Sequence, residues 1–197
     1  IKAAGGEAID LGIASDDEDS LRALASGARG ADMLVTLGGA SVGDHDLVRK
    51  VLGQDGLELN FWRIAMRPGK PLIFGSIGET PMMGMPGNPV SSLVCGIVYL
   101  RPAVRAMLGL DPHAASQTAR LGQDLPGNDL RQDYLRATAS LNEDGETVVT
   151  PFDKQDSSML SRLAKADCLI LRAPHADPAK AGERVEILPL SGETTGI

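Results

Sequence analysis

The sequence is poor in aromatic residues, cysteine and positive charge. Its 197 residues include one Trp, two Tyr, three Phe and two Cys, and the formal net charge is -7. Nucleic-acid-binding proteins use stacked aromatic side chains and basic surfaces, so this composition argues against that class. Cys95 and Cys168 lie far apart and outside any metal-ligand spacing, which predicts buried thiols in a reducing compartment. No apolar run approaches the roughly 20 residues of a membrane span and no signal peptide is visible, so we expect a cytoplasmic protein without a membrane partner.

The first half of the chain has an ordinary globular composition and a regular pattern. Short apolar runs alternate with stretches of helical spacing, which is typical of an α/β fold with a largely parallel sheet and helices on both faces. The predicted strands cover residues 7–12, 32–37, 57–66, 71–75 and 80–85. The predicted helices cover residues 17–29, 45–52 and 90–108.

The pattern changes near Gly109 to Ala115. Beyond this point, short strand candidates are separated by turn signals such as Pro126-Gly127-Asn128, and only 157–165 has helical spacing. The predicted strands cover residues 117–122, 133–141, 146–151, 167–172 and 183–188. We expect a small antiparallel barrel or sandwich of about 80 residues, so the predicted domains are 1–112 and 113–197.

A glycine-rich loop from Gly38 to Asp46 follows the predicted strand 32–37. Glycines at Gly38 and Gly39 allow a sharp turn and a close approach of a ligand to the backbone, and the N–H groups after them are able to bind an anion. The loop also carries two carboxylates. Asp44 is either a helix N-cap or part of the site. For Asp46 we favour a Mg²⁺ ligand or a water-orienting role, because a second carboxylate beside an anion site repels the anion unless it serves a cation or a proton.

A second loop, Pro86 to Ser92, opens the longest predicted helix. Asn88 is suited to cap that helix and Pro89 to its first turn, so one interpretation is that the loop serves only to begin the helix. The basic residues Arg63, Arg67 and Lys70 lie on the preceding strand and loop, where alternation would send Arg63 and Arg67 to one side of a strand. Charge-assisted hydrogen bonds to an oxyanion are one use for them and an ordinary solvated edge is the other. We expect these two loops and the basic loop 67–71 to converge at one end of the sheet.

These loops resemble those of a known family. Residues 36–46, 67–71 and 84–91 are similar in order and spacing to the signature loops of the molybdopterin molybdenumtransferase family, which includes the MoeA proteins and the E-domain of gephyrin. The resemblance continues through Asp133-Tyr134-Leu135-Arg136-Ala137 and Ser157-Ser158-Met159-Leu160. One departure is Ala40, where the family usually has Val or Thr.

The resemblance implies a fold and an activity. The fold is a three-layer α/β/α molybdopterin-binding (MogA-like) domain followed by a small all-β barrel domain. The activity is that of a transferase in molybdenum cofactor biosynthesis, which inserts molybdate into adenylylated molybdopterin (molybdopterin-AMP) with Mg²⁺-dependent release of AMP. The resemblance also implies a possible contact with molybdopterin adenylyltransferase, the enzyme that adenylylates molybdopterin.

The resemblance also implies roles for individual residues. Asp46 would hold the metal and the attacking water, and Arg67 and Lys70 would join it as catalytic residues. The residues expected to contact molybdate or phosphate are Ser41, Arg63, Arg67, Lys70 and Ser91. The residues expected to shape the cofactor pocket are Gly38, Gly39, Gly43, Asp44, Pro86, Gly87, Asn88 and Pro89.

Three other functions stay open at this point. The related molybdopterin adenylyltransferase shares the α/β domain but lacks a C-terminal barrel, so residues 113 to 197 count against it. A scaffold that binds receptor peptides, as gephyrin-type E-domains do, would need an exposed aromatic groove that the composition does not suggest. The third is a nucleotide-binding module without molybdenum chemistry.

The beginning of the chain predicts that it is part of a longer polypeptide. Residues Ile1 to Gly6 read as the last turn of a helix with a glycine C-cap. In the family, the segment before such a helix supplies the first strand, and further domains complete the site across a homodimer. We therefore expect a homodimer, and we expect the 197 residues alone to be unstable and inactive.

Overall fold

A computed structural model of the chain describes residues 1–39, 47–113 and 116–190. These residues form two compact units. The α/β unit consists of residues 7–64 and 69–96, and the barrel unit consists of residues 1–6, 65–68 and the chain from residue 97 onward. The chain therefore leaves the α/β unit for four residues and then returns to it. The sequence-based division at residue 112 instead places the helix after residue 96 in the first domain, and that division stays a prediction.

The α/β unit is built on a four-stranded mixed sheet. Its strands are β1 (Leu34–Leu37), β2 (Leu57–Phe61), β4 (Ile73–Ile77) and β5 (Thr80–Met85), in the order β1-β5-β4-β2, while β3 (Met66–Arg67) belongs to the barrel unit. Only β1 and β5 are parallel. The expectation of a largely parallel sheet is therefore wrong for the described residues. The reason is local: Gly78 and Glu79 join β4 to β5, and a two-residue turn makes its strands antiparallel.

Helices cover both faces of this sheet. Helix α1 (Glu18–Ser26) begins after Asp17, whose carboxylate accepts the Ser20 N–H at 2.8 Å, and α2 is Leu47–Gln54. Their buried side chains share one core with Leu34, Leu57 and Met82 of the strands. Alternation along β5 sends Met83 and Met85 to the other face, where α3 (Pro89–Cys95) packs against β5. The three-layer α/β/α arrangement is thus confirmed.

The predicted long helix is present with an irregularity in its middle. Helix α3 continues through a π-helical segment, Gly96–Leu100, into α4 (Arg101–Met107). Within the described residues, Pro89–Met107 is the one helix that reaches the length and composition of a membrane span, with a mean hydropathy of 1.3. The helix is not an uninterrupted apolar run of the kind that the sequence analysis considered, because Arg101 and Arg105 lie within it. Core helices of soluble proteins meet the same criteria, so length and composition alone do not assign it to a membrane.

The barrel unit contains a closed five-stranded barrel. Its strands are β6 (Gln117–Leu121), β7 (Gln132–Leu141), β8 (Thr147–Pro151), β9 (Cys168–Arg172) and β10 (Arg184–Pro189). The order is β7-β8-β6-β10-β9, and β9 returns to β7. Closure is possible because β7 is ten residues long: its first half pairs with β9 and its second half pairs with β8. Strand β3 adds to the beginning of β7 in parallel.

The barrel differs from the sequence-based expectation in two details. Strands β6 and β8 are parallel, not antiparallel, and β7, which lies between them in sequence, pairs with β8 as an antiparallel hairpin. The predicted helix 157–165 shrinks to α5 (Leu160–Leu163). Its first residues are taken by a turn in which the Asp156 carboxylate accepts hydrogen bonds from the N–H and hydroxyl groups of Ser158, both at 2.8 Å. The inward side chains form the barrel core, including Leu121, Val149 and Ile170.

Two predicted strands in the first half are also corrected. Residues 7–12 form no strand: the Asp10 carboxylate accepts the Gly12 N–H, Gly12 has φ 87°, and Ile9 is 70% exposed. A turn with a left-handed glycine interrupts an extended backbone there. The predicted strand 57–66 ends at Phe61. At the start of the chain, a 3-10 turn over Lys2–Ala4 ends at Gly5 with φ 96°, which confirms the predicted glycine C-cap.

Candidate functional site

Four strand ends of the α/β unit lie at one edge of its sheet. Parallel β1 and β5 both end at this edge, after Leu37 and Met85. Strand β4 is antiparallel to β5 and so begins there, shortly after Lys70, and β2 ends there, shortly before Arg63. Ligands of open α/β sheets bind outside such strand ends. The topology therefore brings Gly38, Arg63, Lys70 and the loop after Met85 to one edge, although sequence separates them by up to about fifty residues.

Two of the glycine loops touch at this edge. The Gly38 N–H donates to the Met85 carbonyl at 3.0 Å, and a Cβ atom on Gly87 would lie 3.3 Å from the Gly38 Cα atom. Gly38 and Gly39 have φ of 82° and 69°, which confirms the predicted sharp turn. A Cβ atom on Gly39 would lie 2.5 Å from Cγ2 of the buried Val48. Glycine is therefore required here by conformation and by space.

The loop after β5 begins α3 as the sequence predicts. Asn88 Oδ1 accepts the N–H groups of Val90 and Ser91 at 3.1 and 3.3 Å, and Pro89 is the first helical residue. Because these two N–H groups already donate to the cap, they are not available to bind an anion. Ser91 is 6% exposed. Asn88 therefore acts here as a helix cap through its side chain, and the expected roles of Pro86, Gly87 and Asn88 in a cofactor pocket stay predictions.

Two basic residues flank this edge in the α/β unit. The Arg63 guanidinium lies over the Trp62 ring, 3.8 Å from the ring centroid, and Arg63 itself is exposed. Lys70 is also exposed, and its carbonyl accepts the Ile64 N–H at 3.0 Å, which closes the segment 64–70 into a loop. Within the described ranges, no carboxylate lies within ion-pairing distance of Lys70. Its charge is available to an oxyanion.

Arg67 and Arg63 do not lie on one strand, contrary to the expectation that alternation sends both side chains to the same side of a strand. Strand β2 ends at Phe61, and Arg67 belongs to β3 in the barrel unit. There its guanidinium donates to the Asp133 carboxylate, which is 5% exposed, and lies 3.4 Å from a carboxylate oxygen of Asp129. Arg131 also pairs with Asp129 at 2.8 Å and, as the main cause, lowers the pKa of that carboxyl to about 2.

Four predicted site residues lie outside the described residues. They are Ser41, Gly43, Asp44 and Asp46, and the assignment of Mg²⁺ to Asp46 goes with them. Among the residues that the structure describes, no group of three or more His, Cys, Asp or Glu side chains could hold a metal ion. The two cysteines are buried, and burial raises the pKa of each thiol to about 12.

Sequence reasoning missed a buried polar network on β7. Arg136 is fully buried, and its N–H and Nε groups donate to Gln155 Oε1 at 3.0 and 3.2 Å. Gln155 Nε2 donates in return to the Arg136 carbonyl at 3.0 Å, and Arg136 Nη1 donates to the Asp156 carbonyl at 2.9 Å. On the same strand the buried Asp133 has no hydrogen-bond partner for Oδ1 among the described residues. Charged residues within a predicted strand of the barrel core were the signal for both.

Comparisons with known proteins agree with this architecture. Residues 1–106 match the family model described as "Probable molybdopterin binding domain", and residues 118–190 match the one described as "MoeA C-terminal region (domain IV)". Molybdopterin molybdenumtransferase of Haemophilus influenzae is 34% identical over 192 residues, which cover 94% of this chain and 46% of that protein. The enzyme of the same name from Bacillus subtilis is 28% identical, over 96% of this chain and 44% of its own.

A solved structure gives the same result. The crystal structure of the molybdopterin biosynthesis MoeA protein from Pyrococcus horikosii superposes with a TM-score of 0.76 at 31% identity, over 95% of this chain and 45% of that one. The chain thus spans about half the length of the relatives that it matches. Two consecutive family matches, the three-layer unit and the closed barrel establish that this chain belongs to the molybdopterin molybdenumtransferase family and corresponds to its molybdopterin-binding and C-terminal domains.

Proposed function

We propose that the protein acts in molybdenum cofactor biosynthesis as a molybdopterin molybdenumtransferase, which inserts molybdate into molybdopterin-AMP with Mg²⁺-dependent release of AMP. The observation that carries the proposal is the meeting of glycine loops and basic residues at one sheet edge. Gly38 and Gly87 are in backbone contact there, and the chain segments bearing Arg63 and Lys70 reach the same edge. The relatives named molybdopterin molybdenumtransferase support the identity of the substrates.

The chemistry at this edge suits a tetrahedral oxyanion. Molybdate and phosphate both accept several hydrogen bonds, and backbone N–H groups beside left-handed glycines bind such groups without a side chain in the way. Lys70 adds a fixed positive charge, and Arg63 adds a planar guanidinium that the Trp62 ring supports. These residues would bind and orient the anionic parts of the substrate. The stacked Arg63 would lose little side-chain freedom on binding.

Mg²⁺ belongs to the proposal only as the family implies it. The described residues offer no carboxylate cluster for the ion, and Asp46, its predicted ligand, lies outside them. We therefore assign no step to the metal. When bound, Mg²⁺ would neutralise charge on the phosphates of the adenylate.

The oligomeric state, the cellular compartment and the partner enzyme are also inferred from the family. We propose a homodimer in the cytoplasm that receives molybdopterin-AMP, with contact to the molybdopterin adenylyltransferase. The adenylyltransferase function itself is disfavoured, because that enzyme has no C-terminal barrel and this chain has one that is closed. The scaffold function would require a peptide-binding groove rather than an anion site.

Calorimetric titration of the protein with molybdopterin-AMP, molybdate and ATP tests the proposal. We expect molybdopterin-AMP and molybdate to bind, and ATP to bind weakly or not at all. Lys70→Ala and Arg63→Ala should each weaken molybdate binding by about 1.5 to 3 kcal/mol, the size of a charged hydrogen bond. Arg29→Ala is the matched control, because Arg29 is exposed and precedes β1, at the opposite sheet edge. Tight ATP binding without molybdopterin-AMP binding would contradict the proposal.

A further inference from the structure

A backbone hydrogen bond holds two exposed cations of the α/β unit side by side. The Ile64 N–H donates to the Lys70 carbonyl at 3.0 Å, and Arg63 directly precedes Ile64. The covalent bonds on either side of this hydrogen bond allow the Cα atoms of Arg63 and Lys70 to be at most about 8 Å apart. All three residues belong to the α/β unit. Because both cationic side chains are long and exposed, both can reach one anion.

The Trp62 ring supports one of these two cations. The Arg63 guanidinium lies 3.8 Å from the ring centroid, and Trp62 is half-buried where Arg63 is exposed. A stacked guanidinium samples fewer rotamers than a freely solvated one. Stacking uses the face of the guanidinium, whereas its N–H groups donate in the plane at its rim. Support of Arg63 by its face is therefore compatible with hydrogen bonds from Arg63 to an anion.

The closeness of Arg63 and Lys70 favours an anion with more than one charge. Two neighbouring cations repel each other, and an anion bound between them removes that repulsion. A doubly charged tetrahedral oxyanion compensates both cations, whereas a singly charged one compensates only one of them. Arginine offers a planar fork of donors and lysine a compact point charge, so the two side chains suit different oxygens of the same anion.

We propose that Trp62 is a positioning residue of the anion site: its ring holds the Arg63 guanidinium beside Lys70, so that the two cations bind one doubly charged tetrahedral oxyanion as a unit. This inference rests on the proposed function, since it assigns Arg63 and Lys70 to the oxyanion, and it adds a supporting residue and a charge preference to that site. The effect of Trp62 on binding passes through Arg63, so it disappears when Arg63 is removed.

Calorimetric titration with three tetrahedral oxyanions tests the charge preference. Near neutral pH, molybdate and sulfate carry two negative charges, and perchlorate has the same shape with one. We expect the unaltered protein to bind both dianions at least about tenfold more tightly than perchlorate. Arg63→Met and Lys70→Met should each reduce that ratio, because one cation then remains. In the double variant the loss of molybdate affinity should differ from the product of the two single losses, since cations that act as a unit are not additive.

Substitutions of Trp62 test the positioning role. Trp62→Leu should weaken molybdate binding about fivefold, the size of an exposed cation–π contact, and Trp62→Phe, which keeps a ring, should weaken it by less. In the Arg63→Met background, Trp62→Leu should cause no further loss. Phe74→Leu is the matched control, because it removes a half-buried ring of the same unit that stacks on Phe61, and it should change the affinity less than about twofold.

The fluorescence of Trp62 gives a second readout that needs no change at Trp62. Trp62 is the one Trp of the chain, so the Trp emission of the protein reports on this ring alone. We expect molybdate and sulfate to change that emission in the unaltered protein, because they draw the stacked guanidinium into new hydrogen bonds. The change should be lost in Arg63→Met. Should Trp62→Leu fail to fold, this measurement and Trp62→Phe decide the positioning role.

The results separate failure of this inference from failure of the proposed function. An unchanged affinity in Trp62→Leu, or an equal loss with and without Arg63, would overturn the positioning role while the proposed function stands. If the dianions bind as expected but molybdopterin-AMP does not bind, the proposed function is wrong and the positioning role of Trp62 stands. If the unaltered protein binds neither molybdate nor sulfate, the anion site itself is wrong, and both conclusions fall.

Discussion

Gly38 and Gly87 are in contact through their backbones: a Cβ atom added to Gly87 would lie 3.3 Å from the Cα atom of Gly38. Contacts of this length require one neighbour to move by a few tenths of an ångström. The two residues belong to different loops, at the ends of the parallel strands β1 and β5. The close approach of these loops thus depends on the absence of a side chain at Gly87.

Alanine at Gly87 should push the two loops apart, and alanine at Gly39 should clash with Val48. We expect Gly87→Ala to lower the free energy of unfolding by about 1 kcal/mol and Gly39→Ala by about 1 to 3 kcal/mol. The larger cost follows from the left-handed φ of Gly39 and from a Cβ position 2.5 Å from Val48 Cγ2. Urea unfolding measures both. Gly53→Ala in α2 is the control, because nothing lies within 4 Å of its Cβ position, and it should be neutral or stabilise by up to about 1 kcal/mol.

The buried Arg136 should depend on Gln155. Replacing Gln155 with Leu keeps the side chain's size but removes the acceptor of two Arg136 donors. A buried donor without a partner costs about 1 to 3 kcal/mol, so we expect a loss of that size in urea unfolding. Gln123→Leu is the control, since Gln123 makes one long hydrogen bond of 3.3 Å, to the Pro151 carbonyl. Equal losses in the two variants would contradict a special role for the Arg136 network.

Glu146 should make the barrel sensitive to acid. Its carboxylate accepts hydrogen bonds from Arg120 at 3.1 and 3.3 Å and from Arg184 at 3.4 Å, and these two arginines lie directly opposite each other on β6 and β10. The hydrogen bond from Arg120 is the main cause that lowers the pKa of Glu146 below its usual 4.5. A lowered pKa in the folded state adds stability above the unfolded-state pKa, and that stability is lost as the pH falls through the folded-state pKa.

Glu146→Gln should therefore lower the midpoint of thermal unfolding at pH 7, and the difference from the unaltered protein should fade below about pH 4.5. The difference should also shrink in high salt, because the pair is partly exposed. Glu143→Gln, an exposed residue of the same turn, is the control and should show no such pH dependence. A difference that persists at pH 2 would point to packing rather than charge.

Local structure could be predicted from the sequence better than the pairing of strands and of charged side chains that lie far apart in the chain. Strand β5 was predicted to the residue, and the Asn88 cap with Pro89 at the helix start was predicted correctly, because both depend on neighbouring residues. The parallel pairing of β6 with β8 was missed, since nothing in either strand records which partner it meets across a barrel. Arg67 shows the same limit. Its partner Asp133 is 66 residues away, so the sequence does not show this ion pair, and the anion-binding role of Arg67 stays a prediction.

For the site, the glycine positions could be predicted and the arrangement of the cations could not. Gly38 and Gly39 signal their left-handed backbone by residue type alone. Arg63 and Arg67 suggested one strand face because the apolar pattern runs from Leu57 to Met66. The chain leaves the sheet at Phe61 instead, and the loop closed by Ile64 and Lys70 diverts Arg67 into β3.

The order of strands around the barrel has a consequence for synthesis on the ribosome. The first strand of the barrel, β6, pairs with β8 and with β10, and β10 is the last described strand of the chain. Until Arg184–Pro189 has emerged, β6 and β9 each present an unpaired edge. Barrel closure thus waits for β10, whereas the sheet of the α/β unit is fully emerged about a hundred residues earlier. During the several seconds that separate the two events, the incomplete barrel would expose unpaired strand edges to which chaperones bind.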